Sequence, residues 1–169
     1  MKKLFTKLRG EGATPPPRPN KTAIAKAWVG SLLGIGVISL AATDLQLALV
    51  LGSFGASCLL VFGYPDLPFS QPRNVVFGHI LSSFVGLLFL QVLGPQWWSM
   101  ALATATAVAL MMAMHTTHPP AASNPVIVFL TQPGWGFMLF PTAIGVAVML
   151  LTALLYNNLA RAGRYPKYW

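Results

Sequence analysis

Six consecutive residues, His115-Thr116-Thr117-His118-Pro119-Pro120, concentrate polar and helix-breaking chemistry in an otherwise apolar stretch. Pro119 and Pro120 have no amide hydrogen to donate, and Pro119 pushes His118 out of helical geometry. The chain must break here. A helix that starts at the prolines leaves amide donors free around Ala121–Ser123, and the positive end of a helix suits an anion. Ser123 and Asn124 stand in its first turns and add a hydroxyl and an amide, while Pro125 frees a carbonyl upstream. One alternative is a plain kink, with the histidines satisfied by neighbouring carbonyls. Another is zinc, because His115 and His118 are three apart. A third ligand would then have to be His79, since the chain has 1 Cys and its 3 acidic residues all sit in tail or loop stretches.

A second cluster is Gln71-Pro72-Arg73-Asn74. Asn74 is a candidate helix cap. Arg73 is the one permanently charged cation away from the two ends of the chain. It can pair with Asp66, steer an anion, or mark the cytoplasmic side. His79 follows Asn74 by little more than a helical turn. Small residues recur at Gly30, Ser31, Gly34 and Gly36, and again along Gly52-Ser53-Phe54-Gly55-Ala56-Ser57. Such stripes let helices approach closely. Gly55 could also permit a break that mirrors the one at Pro119.

These groups need helices in a bilayer to position them. Charged residues make up 8% of the 169 and hydrophobic ones 55%, against about 25% charged in an average globular protein. That excludes a water-soluble enzyme, and the chain is too apolar for intrinsic disorder. Apolar stretches run over Ile24–Thr43, Leu45–Gly63, Val75–Gly94, Trp97–Thr116 and Phe137–Asn158. A crossing takes roughly 20 residues. His118–Leu130 is apolar but shorter. The expected fold is therefore an all-α, polytopic membrane bundle of about six segments, with a short or broken one at His-Pro-Pro. The sequence divides into a flexible, basic, Pro-rich cytoplasmic tail (1–22), a transmembrane domain (23–160) and a basic cytoplasmic C-terminal tail (161–169).

The balance is 11 basic to 3 acidic residues, a net charge of +8. The basic residues gather before Ala27 and after Ala160, with Arg73 alone between. Basic ends around an apolar middle read as cytoplasmic flanks drawn to anionic lipid rather than as a nucleic-acid surface. Two cytoplasmic ends require an even number of crossings, so the short segment must cross too. Residues 54–62 and 119–129 also resemble each other: each passes from a breaker through Ala-Ser to an aliphatic run ending in Phe. Two three-segment units would then form an inverted repeat with interrupted helices, a recurring transporter design.

Taken together, Phe54-Gly55-Ala56-Ser57, Gln71-Pro72-Arg73-Asn74 with Gly78-His79, and His118-Pro119-Pro120-Ala121 resemble the HPP family of integral membrane proteins over about residues 22–160. The ending Leu155-Tyr156-Asn157-Asn158 and its basic tail are similar to bacterial single-domain members. Plant and cyanobacterial members are associated with nitrite transport, so the resemblance implies a carrier or channel for a small monovalent anion, nitrite above others. Many relatives carry Gly-Ala-Thr where this chain has Ala122-Ser123-Asn124.

The expected site lies between the half-bundles. It is lined by His118, Ser123 and Asn124 from one and Ser57 from the other, with Arg73 and His79 guarding the cytoplasmic approach. Gln71, Asn74, His115, Thr117, Pro119 and Pro120 complete it. The expected partners are the anion and the lipid bilayer of the plasma membrane (in a bacterium, the inner one). No nucleic acid, metal, cofactor or catalytic group is expected, and a homo-oligomer stays open. The alternative function is an accessory or structural membrane subunit without transport of its own. Accessibility labels near Gly10 and near Tyr165 should report the same, cytoplasmic, side. Opposite sides would remove the sixth crossing.

Overall fold

The computed structural model describes residues 15–44 and 52–169. The expectation for the first fourteen residues of the tail, and for the opening of the second span and the turn before it (45–51), lies outside the described residues. All regular structure among the described residues is helical. Helix α1 is Lys21–Asp44. Helix α2 is Gly52–Cys58, drawn out into a π turn over Leu59–Gly63. A 3₁₀ turn at Pro68–Ser70 leads into α3, Pro72–Leu93, followed by α4, Trp97–Ala113. A second 3₁₀ turn, Pro119–Ser123, opens α5, Asn124–Thr131. The last helical stretch begins as 3₁₀ at Trp135–Met138. It passes through a π turn over Leu139–Ala143 and becomes α6, Ile144–Ala160.

Local chemistry sets these limits. Asn20 caps α1, its Oδ1 accepting the Ala23 amide at 2.8 Å. Proline at the first helical position carries a φ already suited to a helix, so α3 starts at Pro72 rather than at Val75. Asn74, expected as its cap, is instead inside the helix and buried. Gly94, at φ +78°, closes α3 before Pro95. Gln132 adopts the left-handed conformation and closes α5 before Pro133. Helix α4 stops at Ala113, short of Thr116, because the chain must be extended by His118 (φ −132°, ψ 98°) ahead of Pro119. No break occurs at Gly55. The irregularity of that helix falls at the π turn instead. The final stretch is broken at Phe140, whose φ −122° and ψ 118° are not helical.

Lys21–Leu40, Pro72–Leu93 and Trp135–Ala160 are each long and apolar enough to cross a bilayer. Gly52–Gly63 and Trp97–Ala113 are apolar but shorter. Large apolar side chains, among them Trp28, Leu32, Val92, Trp97, Leu130 and Leu159, face outward. That is the surface of a protein solvated by lipid. Helix α1 packs on α6 and on the π turn after α2, and α4 packs on α3 and α5. The pairing α1–α6 answers α3–α4 if residues 21–63 and 97–131 are exchanged, as two linked three-segment units require. One core cluster includes Phe54, Val61, Phe62 and Met149. A smaller one holds Val85, Ala103, Ala107 and Phe129.

The start of α1 and the end of α6 meet at one end of the bundle. Tyr156 donates to the Lys26 carbonyl at 2.8 Å, and the Lys26 ammonium donates to the Ala160 carbonyl. The basic segment after α6 folds back over the loop before α3. Tyr165, 3% exposed, donates to the Ser70 carbonyl at 2.7 Å. The Lys167 amide donates to Gln71 Oε1 at 2.7 Å. Asp66 pairs with Arg161 and with Lys167. The Arg161 guanidinium, more than any other group, holds its carboxyl below the usual carboxylate range. All seven described basic residues, Arg18, Lys21, Lys26, Arg73, Arg161, Arg164 and Lys167, therefore belong to segments at this one end.

Close approach fixes where α3 sits. A Cβ at Gly86 would stand 2.8 Å from Pro125 Cα, a backbone atom that cannot swing aside, whereas one at Gly55 would meet no described atom. Gly86→Ala should cost about 1–3 kcal/mol by overpacking. Gly55→Ala should be neutral or slightly stabilising, as expected for an exposed helix interior. Thermal unfolding of the detergent-purified variants checks the pair, and equal midpoints would refute the proposed contact.

Candidate functional site

Four segments bring polar side chains to one place in the interior. Ser53 and Ser57 lie one turn apart on α2, as do His79 and Ser83 on α3. His118 stands immediately before the proline turn, and Asn124 opens α5. Thr142 comes from the π turn before α6. At 1.5 Å per residue, His79 is roughly 10 Å and Ser83 roughly 16 Å along α3 from its start. Ser57, His79, Ser83, His118, Asn124 and Thr142 are 0% exposed, and Ser53 is 3% exposed. They must therefore satisfy one another, because an unpaired buried polar group is costly.

The hydrogen bonds define a single direction. A carbonyl can only accept, so His118 Nδ1 donates to the Phe69 carbonyl at 2.7 Å. In a neutral ring the other nitrogen is then an acceptor. His118 Nε2 accepts from the Ser57 hydroxyl at 2.8 Å, which also lies 3.2 Å from the Ser53 carbonyl. His79 Nε2 in turn donates to Ser57 Oγ at 3.0 Å. His79 Nδ1 is left as acceptor for the Asn124 amide at 3.1 Å. The second amide hydrogen of Asn124 goes to Ser83 Oγ at 2.8 Å, and Asn124 Oδ1 accepts from Ser53 Oγ at 2.8 Å. Ser83 Oγ lies 3.1 Å from Thr142 Oγ1. The chain of donors runs from Asn124 through His79 and Ser57 to His118 and the Phe69 carbonyl, with no member carrying a formal charge. Phe54 closes one side, its ring edge-on to His79 at 5.4 Å.

Backbone contacts hold the rings in place. A Cβ at Gly78 would come within 2.8 Å of His118 Cβ, so glycine is what lets His118 lie against α3. Asn74 Nδ2 donates to the Thr117 carbonyl at 2.9 Å, pinning the strand-like approach to the prolines. Pro120 is buried and Pro119 is exposed.

Of the residues expected from the sequence, Ser57, His79, His118 and Asn124 meet in this network. Gln71, Asn74 and Thr117 form a layer around it. Gln71 Nε2 donates to the carbonyls of Pro65 and Leu67. Thr117 Oγ1 points back to the Met111 carbonyl at 3.5 Å. Arg73, His115 and Ser123 lie outside and are exposed. His115 occupies a turn at φ 53°. Arg73 is not among the partners of Asp66, which are Arg161 and Lys167. The donors expected at the proline turn are used locally. The Ala121 amide donates to the His118 carbonyl at 2.9 Å, and Ser123 Oγ donates to the Pro120 carbonyl at 2.8 Å. The buried network itself is built from side chains rather than from a helix end. Ser123, which the sequence likeness set against Ser57, is exposed, and its neighbour Asn124 is the residue that meets Ser57's network. His79 and His118 stand with ring centroids 5.1 Å apart. Among the described residues no trio of His, Cys, Asp and Glu is placed to hold a metal.

Sequence reasoning missed Ser53, Ser83 and Thr142. The spacing of Ser53 from Ser57 and of His79 from Ser83, one helical turn on an apolar span, was a readable signal. Thr142 had none beyond its place after Pro141.

The profile of a family described as "HPP, transmembrane region" matches residues 16–166. Among curated proteins, a transmembrane protein of Dictyostelium discoideum is 36% identical, with 98% of this chain aligned to 62% of the relative. A second from the same organism is 37% identical, with 98% aligned to 57%. The chain thus spans about three fifths of the length of these relatives. No solved structure matches it.

Ser57 bridges both rings, so Ser57→Ala should leave two buried histidine nitrogens without their partner. Such a loss costs about 1–3 kcal/mol for each orphaned group. Ser123→Ala should change stability by less than about 0.5 kcal/mol, as at other surface positions. Unfolding in detergent separates the two. A Ser57→Ala variant as stable as the parent would show that the network is not what closes this interior.

Proposed function

The chain belongs to the HPP transmembrane family, and from that premise we propose that it moves a small monovalent anion, nitrite above others, across the bilayer. The observation that carries this reading is the buried, uncharged donor network His118–Ser57–His79–Asn124. Polar side chains inside a membrane bundle are expensive and mark pathways by default. Here they gather where α2 meets the proline turn that opens α5, with that turn and α5 packed on α3. Broken or distorted helices in both units give the backbone places to move, as in other repeat-built carriers.

The donors available are of the right kind. A hydroxyl, a primary amide and two imidazoles can turn toward an angular oxyanion without a fixed cation to trap it. The site contains no carboxylate to repel one. Burying an anion in so dry a place demands a compensating charge. A proton on His79 or His118 supplies it, so anion and proton would travel together as a neutral pair. Such coupling also allows uptake against an inside-negative potential. With one more proton on His118, its Nε2 donates to Ser57, and the Ser57 hydroxyl turns to the Ser53 carbonyl 3.2 Å away, because His79 Nε2 already donates to it. The direction of this hydroxyl thus follows the protonation of His118. By the bias of Lys and Arg toward the cytoplasm, the end holding Lys26, Arg73 and Arg161 faces inward, and we assign the protein to the plasma membrane.

An accessory or structural role is the second reading. It draws on one observation: every hydrogen bond of the network already has a partner.

Nitrite uptake into proteoliposomes at mildly alkaline pH, where little of the permeant acid exists, discriminates between them. The parent should take up nitrite above protein-free vesicles, faster with an inward proton gradient. Ser57→Ala and His118→Asn should lower the rate per folded protein by at least about 10-fold, the equivalent of one strong hydrogen bond. Ser123→Ala and His115→Gln should leave it within about 2-fold. Flux no greater than in empty vesicles, or equal flux in all five proteins, would overturn the transport reading.

A further inference from the structure

The end of the bundle that carries the basic residues contains a cavity of about 310 Å³ that the transport reading does not use. Its walls include Asn20, Thr22, Lys26, Gly63 and Arg161. Two of these are cations, and among the described residues no acidic one lines it. The Lys26 ammonium donates to the Ala160 carbonyl at the end of α6, which leaves two of its three donors uncommitted. Arg161 places Nη2 on Asp66. Its Nη1 is buried without a partner among the described residues. Asp66 is shared with Lys167, at 3.2 Å, so the cluster keeps a positive excess. The first turn of α1 also opens here. Asn20 satisfies the Ala23 amide, and the earlier amides of a helix have no intrahelical acceptor.

A second, apolar groove of about 190 Å³ adjoins this cavity and shares Ala23 and Gly63 with it. Ile24, Ala27, Leu59 and Tyr64 line the groove. Trp28 and Tyr64 are exposed nearby on α1 and on the loop, and such rings favour the headgroup level. A free oxyanion fits the first cavity and has no use for the second. A phospholipid uses both.

We propose that this paired pocket is a binding site for an anionic phospholipid, with its phosphodiester between Lys26 and Arg161 and one acyl chain along Ile24, Ala27 and Leu59. A guanidinium and an ammonium facing one phosphate form charge-assisted hydrogen bonds. The orphaned Nη1 is the donor that the lipid would satisfy. The bound lipid would then clasp the start of α1 to the end of α6. The site neither requires nor supports nitrite transport, and the two can fail separately.

The test is thermal unfolding of the full chain in a non-ionic detergent, titrated with short-chain phosphatidylglycerol, short-chain phosphatidylcholine or inorganic phosphate. A ligand of the folded state raises the midpoint by mass action. Phosphatidylglycerol should raise it at concentrations at least about 5-fold below those needed of the other two, the effect of about one surface cation. The Lys26→Gln/Arg161→Gln double variant should lose the phosphatidylglycerol shift. Asp66→Asn breaks the ion pair but spares the pocket, and it should keep the shift. Lys26→Gln alone, which retains a donor for the Ala160 carbonyl, should weaken the response about 5-fold even if the double variant does not fold. Equal responses of the parent and Lys26→Gln, or no response of the parent, would overturn the site. Inorganic phosphate as effective as phosphatidylglycerol would overturn the lipid as its occupant.

Discussion

Seven polar side chains sealed from water must find their partners among themselves and a few backbone carbonyls, and the rest of the bundle is arranged so that they can. The Ser57 hydroxyl is the pivot. It lies 2.8 Å from His118 Nε2 and 3.0 Å from His79 Nε2, and only one of those nitrogens can receive its proton. The Phe69 carbonyl decides which, because it fixes the tautomer of His118. The loop before α3 thereby determines proton positions on a ring contributed by a segment 49 residues away. In a medium without competing water such a network is rigid when complete and costly when one member is lost.

The demands of this network explain several departures from regular helix. His118 can reach both Ser57 and the Phe69 carbonyl only if the chain is extended there, which Pro119 enforces. Helix α4 must therefore end early, and the His115 turn follows. His118 can lie on α3 only across Gly78, and α5 can follow only across Gly86. Proline and glycine act in pairs: one breaks the chain, and the other clears a path for the broken segment to reach the neighbouring helix.

The same economy operates at the basic end. Tyr165 and Lys167 fold the C-terminal segment over Gln71 and Ser70, and Gln71 holds the carbonyls of Pro65 and Leu67. The loop that supplies the Phe69 carbonyl is thus held from both sides. A segment with the composition of a solvated tail becomes part of the support of the buried site.

The sequence by itself determined the class of fold, because 8% charged residues cannot coat a water-soluble particle and apolar runs separated by Pro and Gly leave only a helical membrane bundle. It also determined the break at Pro119, since the residue before a proline is pushed out of helical geometry. It pointed to Ser57, His79, His118 and Asn124 through the rarity of such groups in apolar spans. Only the tertiary structure decided which of the polar candidates face one another. Ser123 and Asn124 are adjacent and chemically similar, yet about 100° of helical rotation sends one out and the other in. Arg73 and Arg161 both had the charge to pair with Asp66, and the fold-back of the last residues selected Arg161. Periodicity fixes what lies on one face of one helix. The facing of that face toward another depends on close contacts, such as those at Gly78 and Gly86, that no single segment encodes.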